Sequence, residues 1–384
     1  MKLKKLLLSL VTIGSIIPVA TAVSCKDETK PEQPTTPQKE TLDKNQVILD
    51  SVRYLANIWN TVSAEKDAMS YTLYNSAKKQ FDTLVKGQPE VFETDKVNVD
   101  ANGNVTISNT TEGKAIPVVF MDIDETVLNN YSFQNWLVKN HKYFNSSIWN
   151  EFVQDKQARK IAGALEFIDY VWKNGGVVMY NSNREQENQL VPTRDNLVSE
   201  GLNANYLADW TFWMQGVDLD NAKPWTTIKK DSSNKRVKSE KEDRMNLVNS
   251  KKWDLTTEGK TFGNSVALKT VMRVGDNFDD FNDVSSAHKI NKERNKTLND
   301  IKQLFGNFDT SVKGVKYTKN ADGSVTKENE TWAESYVLIG GNASYGGWES
   351  GLTKGFYGLS TEDKIKAMDK AIEEFIWKPS KPQS

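Results

Sequence analysis

Apolar residues follow two different rhythms along this chain, and each rhythm predicts a different kind of element. Between Gln46 and Gly87 they recur at helical spacing, first as Val47, Val52, Leu55, Ile58 and Trp59, then as Met69, Leu73, Ala77, Phe81 and Leu84. That pattern predicts a pair of helices. Further on, short apolar runs appear at Ile116–Met121, Val177–Tyr180 and Val271–Val274, the last interrupted by Arg273, with a helical pattern (Ala164, Phe167, Ile168, Val171, Trp172) between the first two. Buried strands alternating with helices predict a parallel sheet joined by right-handed helical crossovers. Each run stops at polar residues: Asp122, then Asn181-Ser182-Asn183, then Gly275-Asp276. Ligands of such sheets sit beyond the carboxyl ends of the strands, so these three ends are expected to line one crevice.

Segments without either rhythm divide the rest. Lys26 to Lys44 is rich in Pro, Thr, Glu and Lys and buries too little to offset chain entropy, so it reads as a disordered tether. Asn, Thr, Gly and Asp dominate Gln88 to Lys114, where DANGN followed by VTIS predicts a small hairpin. A second such patch, Lys316 to Glu330, contains TKNADGSVT, and both read as insertions. The predicted organisation is a leader over 1–24, a tether over 25–45, a helical segment with hairpin contributing to a cap over 46–114, and a core over 115–384 carrying insertions that include 307–332.

Composition narrows the chemistry. The net charge of −1 over 384 residues supplies no basic field for polymeric nucleic acid. A single cysteine excludes an intramolecular disulfide, and two histidines leave little for a His-rich metal site. Carboxylates remain. In Asp122-Ile123-Asp124-Glu125-Thr126 two of them flank one residue at a strand end. A carboxylate can serve as a covalent nucleophile, and a hard cation with oxygen ligands would offset its repulsion from phosphate, with Asp276 as a further ligand.

MDIDET, YNSNRE, a lysine within KSEKEDR and VGDNFDDFND, in that order, resemble the four motifs of the haloacid dehalogenase superfamily. YNSAKKQFD, WNEFVQDKQARKIAGALEFIDYV and SYGGWESGL are similar to segments of its class C acid phosphatases, the lipoprotein e(P4)-like 5'-nucleotidases. The resemblance spans roughly Ser63 to Gly358. It implies a haloacid-dehalogenase-like α/β fold, a parallel sheet flanked by helices with a smaller, mainly helical cap. It also implies an acid phosphatase that hydrolyses phosphomonoesters through a phosphoaspartyl intermediate. By this resemblance Asp122 is the nucleophile and Asp124 the general acid and base. Mg2+ is held by Asp122, the Asp124 backbone carbonyl and Asp276, with Asp280 in support. Ser182 and Asn183 donate to the phosphoryl group, and a lysine adds positive charge. Ser239, Lys241 and Arg244 make one Ser-x-Lys-x-x-Arg match and Ser233 with Lys235 an incomplete second one, so Lys241 is preferred and Lys235 stays open. Trp149 and Tyr345 fall where the family supplies rings on either side of a nucleobase, which implies nucleoside 5'-monophosphates as substrates. Arg184, beside Asn183, is a further substrate-binding candidate.

Met1 to Lys5 is basic, Leu6 to about Ala20 apolar, and Ala22-Val23-Ser24-Cys25 ends in the only cysteine, an arrangement that resembles a bacterial lipoprotein signal. It implies lipid on Cys25 and a protein anchored to the cell membrane facing outward; an uncleaved anchor and an ordinary secretory signal are the competing readings. The expected partners are small phosphomonoesters and the membrane, with a homodimer as a further option. A non-catalytic surface lipoprotein, adhesin or solute receptor, and a sugar-phosphate phosphatase or phosphotransferase are the alternative functions.

Overall fold

The structure is a computed structural model that describes residues 43–340, 342–373, 375 and 376. Cys25, the leader and nearly all of the tether lie outside the described residues. Two helices open the described chain, α1 (Lys44–Val62) and α2 (Ala64–Lys86), separated by Ser63, whose side chain accepts from the amide of Lys66 and caps α2. The first helix therefore starts within the stretch assigned to the tether. A small antiparallel hairpin follows, β1 (Val97–Val99) and β2 (Val105–Ile107), and then the first sheet strand, β3 (Ile116–Met121). After a short β4 (Leu128–Asn129) come α3 (Tyr131–Lys139), α4 (Ser146–Asp155), β5 (Arg159–Lys160) and α5 (Ala164–Lys173). The chain continues through β6 (Val177–Tyr180), α6 (Gln186–Ser199), α7 (Lys241–Ser250), β7 (Lys252–Trp253) and β8 (Val266–Gly275). It closes with α8 (Asp283–Ser286), α9 (Asn291–Ile301), the hairpin β9 (Lys313–Lys319) and β10 (Val325–Ala333), β11 (Ser335–Leu338), α10 (Gly347–Ser350) and α11 (Thr361–Glu373).

The central sheet has the order β11-β8-β3-β6, all parallel, with β7 added antiparallel to the start of β8. Every residue of β3 and of β6 is buried, as expected of strands covered on both faces. The register sets the strand ends level, because Met121 lies opposite both Tyr180 and Val274, and Leu338 opposite Gly275. Asp122, Asn181, Asp276 and Ile339 therefore leave the sheet side by side. Helix α5 buries Ala164, Leu165, Phe167, Ile168, Val171 and Trp172. From α2, Tyr74, Ala77, Phe81 and Leu84 join the same core.

Two expectations about the insertions need correction. The 88–114 segment and α2 do not belong to a cap. Phe92 bridges to Ala115, and the amides of Ile107 and Thr110 bond to the carbonyls of Thr261 and Ser265, which sets the hairpin at the amino ends of β3 and β8. Val97, Val105 and Ile107 are buried there, which removes apolar surface that a cap position would leave in water. The 307–332 segment is likewise only half an insertion. Its tip is exposed, whereas Val315 and Tyr317 pack with Phe281, Ile301, Leu304 and Tyr336 in a second cluster. The sheet also gains a fourth strand, β11, absent from the three-strand expectation.

Candidate active site

The loop leaving β3 turns sharply. The amides of Val127 and Leu128 return to the carbonyl of Ile123, the Glu125 amide bonds to Leu128, and Glu125 itself adopts a φ of 54°. A left-handed backbone at a non-glycine residue is uncommon and is held by its surroundings. Here the holding contacts fall on the Glu125 carboxylate, which accepts from the Asn130 amide at 2.8 Å, from Asn130 Nδ2 at 3.3 Å and from the Tyr345 hydroxyl. The turn aims Asp122 and Asp124 differently, each toward its own set of cations.

Asp122 faces Lys241. Its Oδ1 lies 2.8 Å from Lys241 Nζ, which also lies 2.6 Å from Asp280 Oδ1, and all three groups are buried. Lys241 is the first residue of α7, where Asp283 accepts from the backbone amides of Lys241 and Glu242 and fills the position of an anionic helix cap. Lys235 lies exposed on the preceding loop, so of the two candidate lysines only Lys241 reaches the acidic residues. Asp122, Asp276 and Asp280 each offer one carboxylate oxygen, and these oxygens all lie within 4.8 Å of one another. Asp280 is pulled in by a short capping box, its Oδ2 accepting from the Asn277 amide at 2.9 Å. That approach requires the glycine at position 275, where a Cβ would come within 2.2 Å of the same oxygen.

Asp124 is held on the other side. Its Oδ1 accepts from Arg184 Nε at 2.9 Å, Arg184 Nη2 at 2.7 Å and Asn130 Nδ2 at 2.7 Å. Arg184 is itself buried, gives its remaining donors to Thr193 and Asn130, and lies over the Trp149 ring at 5.4 Å. It reaches the acidic loop rather than open space. Trp149 packs among Phe133, Phe144 and Phe152. The two aromatic candidates thus each stand one contact from the acidic loop, Trp149 through Arg184 and Tyr345 through Glu125. Ser182 is fully buried, with its Oγ accepting from the Arg184 amide at 3.1 Å. Asn183 is exposed, and its Oδ1 takes longer bonds from Gln215 and Arg244 at 3.4 Å.

Burial without enough positive charge drives protons onto this cluster. Burial, reinforced by Asp280 and Asp124 and opposed by Lys241, pushes the Asp122 carboxyl up to about 7. Burial and Asp124 push Glu125 up to about 8. Asp276 is raised well above the usual carboxylate range by burial and by its acidic neighbours. Lys241 goes the other way: burial would lower it, but Asp122 and Asp280 outweigh that and hold the ammonium above its ordinary value. Crowded oxygen ligands that hold protons in the absence of a cation are the donor set a hard divalent ion prefers.

Sequence reading had not singled out Asn130, Asn342 or Asp283. Asn342 donates to Asp276 Oδ2 at 2.9 Å and accepts from the Tyr131 hydroxyl at 3.0 Å. It follows β11, so the rule that polar residues at apolar strand ends line the crevice would have found it once the fourth strand was recognised. Asp283 closes the VGDNFDDFND motif but takes its partners, the Lys241 and Glu242 amides, from a distant segment, and Asn130 stands five and six residues after the Glu125 and Asp124 it bonds, with no periodic pattern to mark it.

The profile of the family described as HAD superfamily, subfamily IIIB (Acid phosphatase) matches residues 38–305. The chain belongs to that family, and it is a phosphomonoester hydrolase; the non-catalytic alternative is thereby set aside. Among solved structures it is similar to the class C acid phosphatase from Bacillus anthracis, at 22% identity and a TM-score of 0.56, over 84% of this chain and 97% of that one. The structure of the class C acid phosphatase from Bacillus anthracis with tungstate bound matches at 22% identity and a TM-score of 0.55, with the same coverage. At that identity the likeness shows the fold.

Proposed function

We propose that the protein is a magnesium-dependent acid phosphatase, anchored to the outer face of the cell membrane through lipid on Cys25, that hydrolyses nucleoside 5'-monophosphates through a phosphoaspartyl intermediate. The observation that carries the reading is the meeting of Asp122, Asp276 and Asp280 with Lys241 at the ends of neighbouring strands. In this reading an Asp122 oxygen attacks phosphorus while the bond to the ester oxygen breaks, and Asp124 gives the departing oxygen a proton. Asp124 then takes a proton from water, whose oxygen attacks the same phosphorus and releases Asp122 and inorganic phosphate. Lys241 neutralises one Asp122 oxygen and Arg184 fixes Asp124. Magnesium held by Asp122, Asp276 and the Asp124 carbonyl, with Asp280 in support, would supply charge neutralisation for the incoming phosphate.

The relative with bound tungstate, a tetrahedral oxyanion like phosphate, supports oxyanion binding by this fold. The nucleotide assignment rests on Trp149 and Tyr345, since stacking accepts any base. Phosphate release from nucleoside monophosphates and sugar phosphates, with and without EDTA, tests the reading. Nucleotides should be preferred and EDTA should abolish turnover; equal rates on sugar phosphates would remove the nucleotide assignment, and turnover unaffected by EDTA would remove the metal. Detergent-phase partition and the mass of the mature amino terminus test the anchor.

A further inference from the structure

Helix α1 is amphipathic in the inverted sense. It turns Leu49, Asp50, Asn57 and Asn60 inward and leaves Val47, Ile48, Val52, Tyr54, Leu55, Ile58 and Val62 exposed. At about 100° per residue the outward set falls within one arc of roughly 160°, with Ser51 as its only polar member beyond the terminal Lys44. Leu55 and Val62 are 73% and 74% exposed, which is unusual for central positions of an ordered apolar stripe. The inward polar face has partners: Asp50 accepts from Gln46 and lies 2.8 Å from His141 Nδ1, and Asn57 accepts from Ser344. The helix is therefore fixed in this orientation, and among the described residues nothing covers its outer face.

We propose that this face is a docking surface for the phospholipid bilayer, laid into the interfacial region with its aliphatic side chains among the acyl chains. The proposal rests on the membrane-anchored reading given above. Three observations favour lipid over a second protein. The stripe is mainly aliphatic and holds no arginine, with Tyr54 and the half-buried Trp59 as its aromatic members, whereas protein interfaces concentrate affinity in Arg together with aromatic anchors. Exposed cations and an interfacial aromatic border it: Lys44 at its start, Trp136 and Lys139 on α3, and Lys142 just beyond it, this segment being tied alongside by the Asn135–Thr61 and Arg53–Lys142 hydrogen bonds. Basic residues and tryptophan beside an aliphatic stripe suit an anionic membrane surface. Finally, only the residues from Lys26 to Leu42 separate Cys25 from the described chain, a length of chain that reaches at most about 60 Å. The first helix after such a tether meets the bilayer at a high effective concentration, so a modest intrinsic affinity suffices.

Residues from Asp43 onward form one compact unit, so the test uses a chain beginning at position 25, with Cys25→Ser and a hexahistidine at its start. It is held on nickel-chelating lipid in vesicles of phosphatidylglycerol and phosphatidylcholine, which imposes tethering whether or not Cys25 is naturally lipidated. A polarity-sensitive dye is placed on Leu55→Cys, and on Ser324→Cys at the exposed tip of the β9–β10 hairpin as a control. On vesicles the dye at position 55 should shift to the blue and be quenched by doxyl-labelled acyl chains, while the control does not change. Combining Ile58→Ser and Val62→Ser should lower vesicle partitioning of the untagged chain by roughly tenfold or more. An unchanged dye on vesicles overturns the proposal. So does a blue shift without vesicles, which would assign the face to a second copy if it grows with protein concentration and to the chain's own residues if it does not. Failure of the natural anchor would appear separately, as an unlipidated Cys25 in the mature protein.

Discussion

Asp122 is buried against Lys241 and beside two further acids, so replacing its charge has two opposite effects. Asp122→Asn keeps the shape, removes the proposed nucleophile and relieves like-charge repulsion. Phosphate release should fall by at least about a thousandfold, while the thermal midpoint measured in EDTA stays level or rises. Lys241→Met should also abolish turnover, but at a cost to folding of about 3–5 kcal/mol by denaturant titration, because it leaves acidic groups buried without their cation. Gly275→Ala acts through packing: a Cβ 2.2 Å from Asp280 Oδ2 must displace that carboxylate, so titration with Mg2+ should show weakened binding with the fold retained.

Elements differ in how far the chain itself announces them. Strands β3 and β6 were legible because a strand buried on both faces is apolar throughout, β8 through Val271–Val274 although Arg273 interrupts that run and is buried against Glu242 and Glu334, and α1, α2 and α5 because their periodicity is long enough to read. Strand β11 was missed: four residues directly after a hairpin carry too little pattern to stand apart from it. The hairpins were legible as hairpins, yet their places were not, since Val97, Val105 and Ile107 look like any alternating strand until Phe81 and Phe92 are found packed in the same core. The β9–β10 hairpin divides accordingly. Replacing its tip, Asn320 to Ser324, by a two-residue turn should leave activity within about twofold, whereas Tyr317→Ala at its base should cost about 3 kcal/mol of stability.

Over the whole molecule the acidic cluster links folding to pH and to metal. Asp122 near 7 and Glu125 near 8 hold protons in the folded state that the unfolded chain, with ordinary carboxylates near 4, has already released. Between those values the folded state binds more protons, so stability contributed by these groups is full below about pH 4 and is lost as pH rises through 7 to 8. Thermal melts in EDTA should accordingly show the midpoint falling from pH 5 to 8. Saturating Mg2+ should flatten that fall, because a bound cation replaces the protons; identical slopes with and without metal would mean that the cluster does not bind it.

The sequence by itself determined the parallel sheet, the polar residues at three of its strand ends and the order of the acidic motifs, because burial and strand geometry act on neighbours along the chain. Only the tertiary structure decided that Lys241 rather than Lys235 meets Asp122, that Arg184 is spent on Asp124, that Asn342 reaches Asp276, and that α1 turns its apolar side outward. Each of those outcomes depends on which distant surfaces are pressed together, and side-chain charge and length are the same wherever the fold carries them.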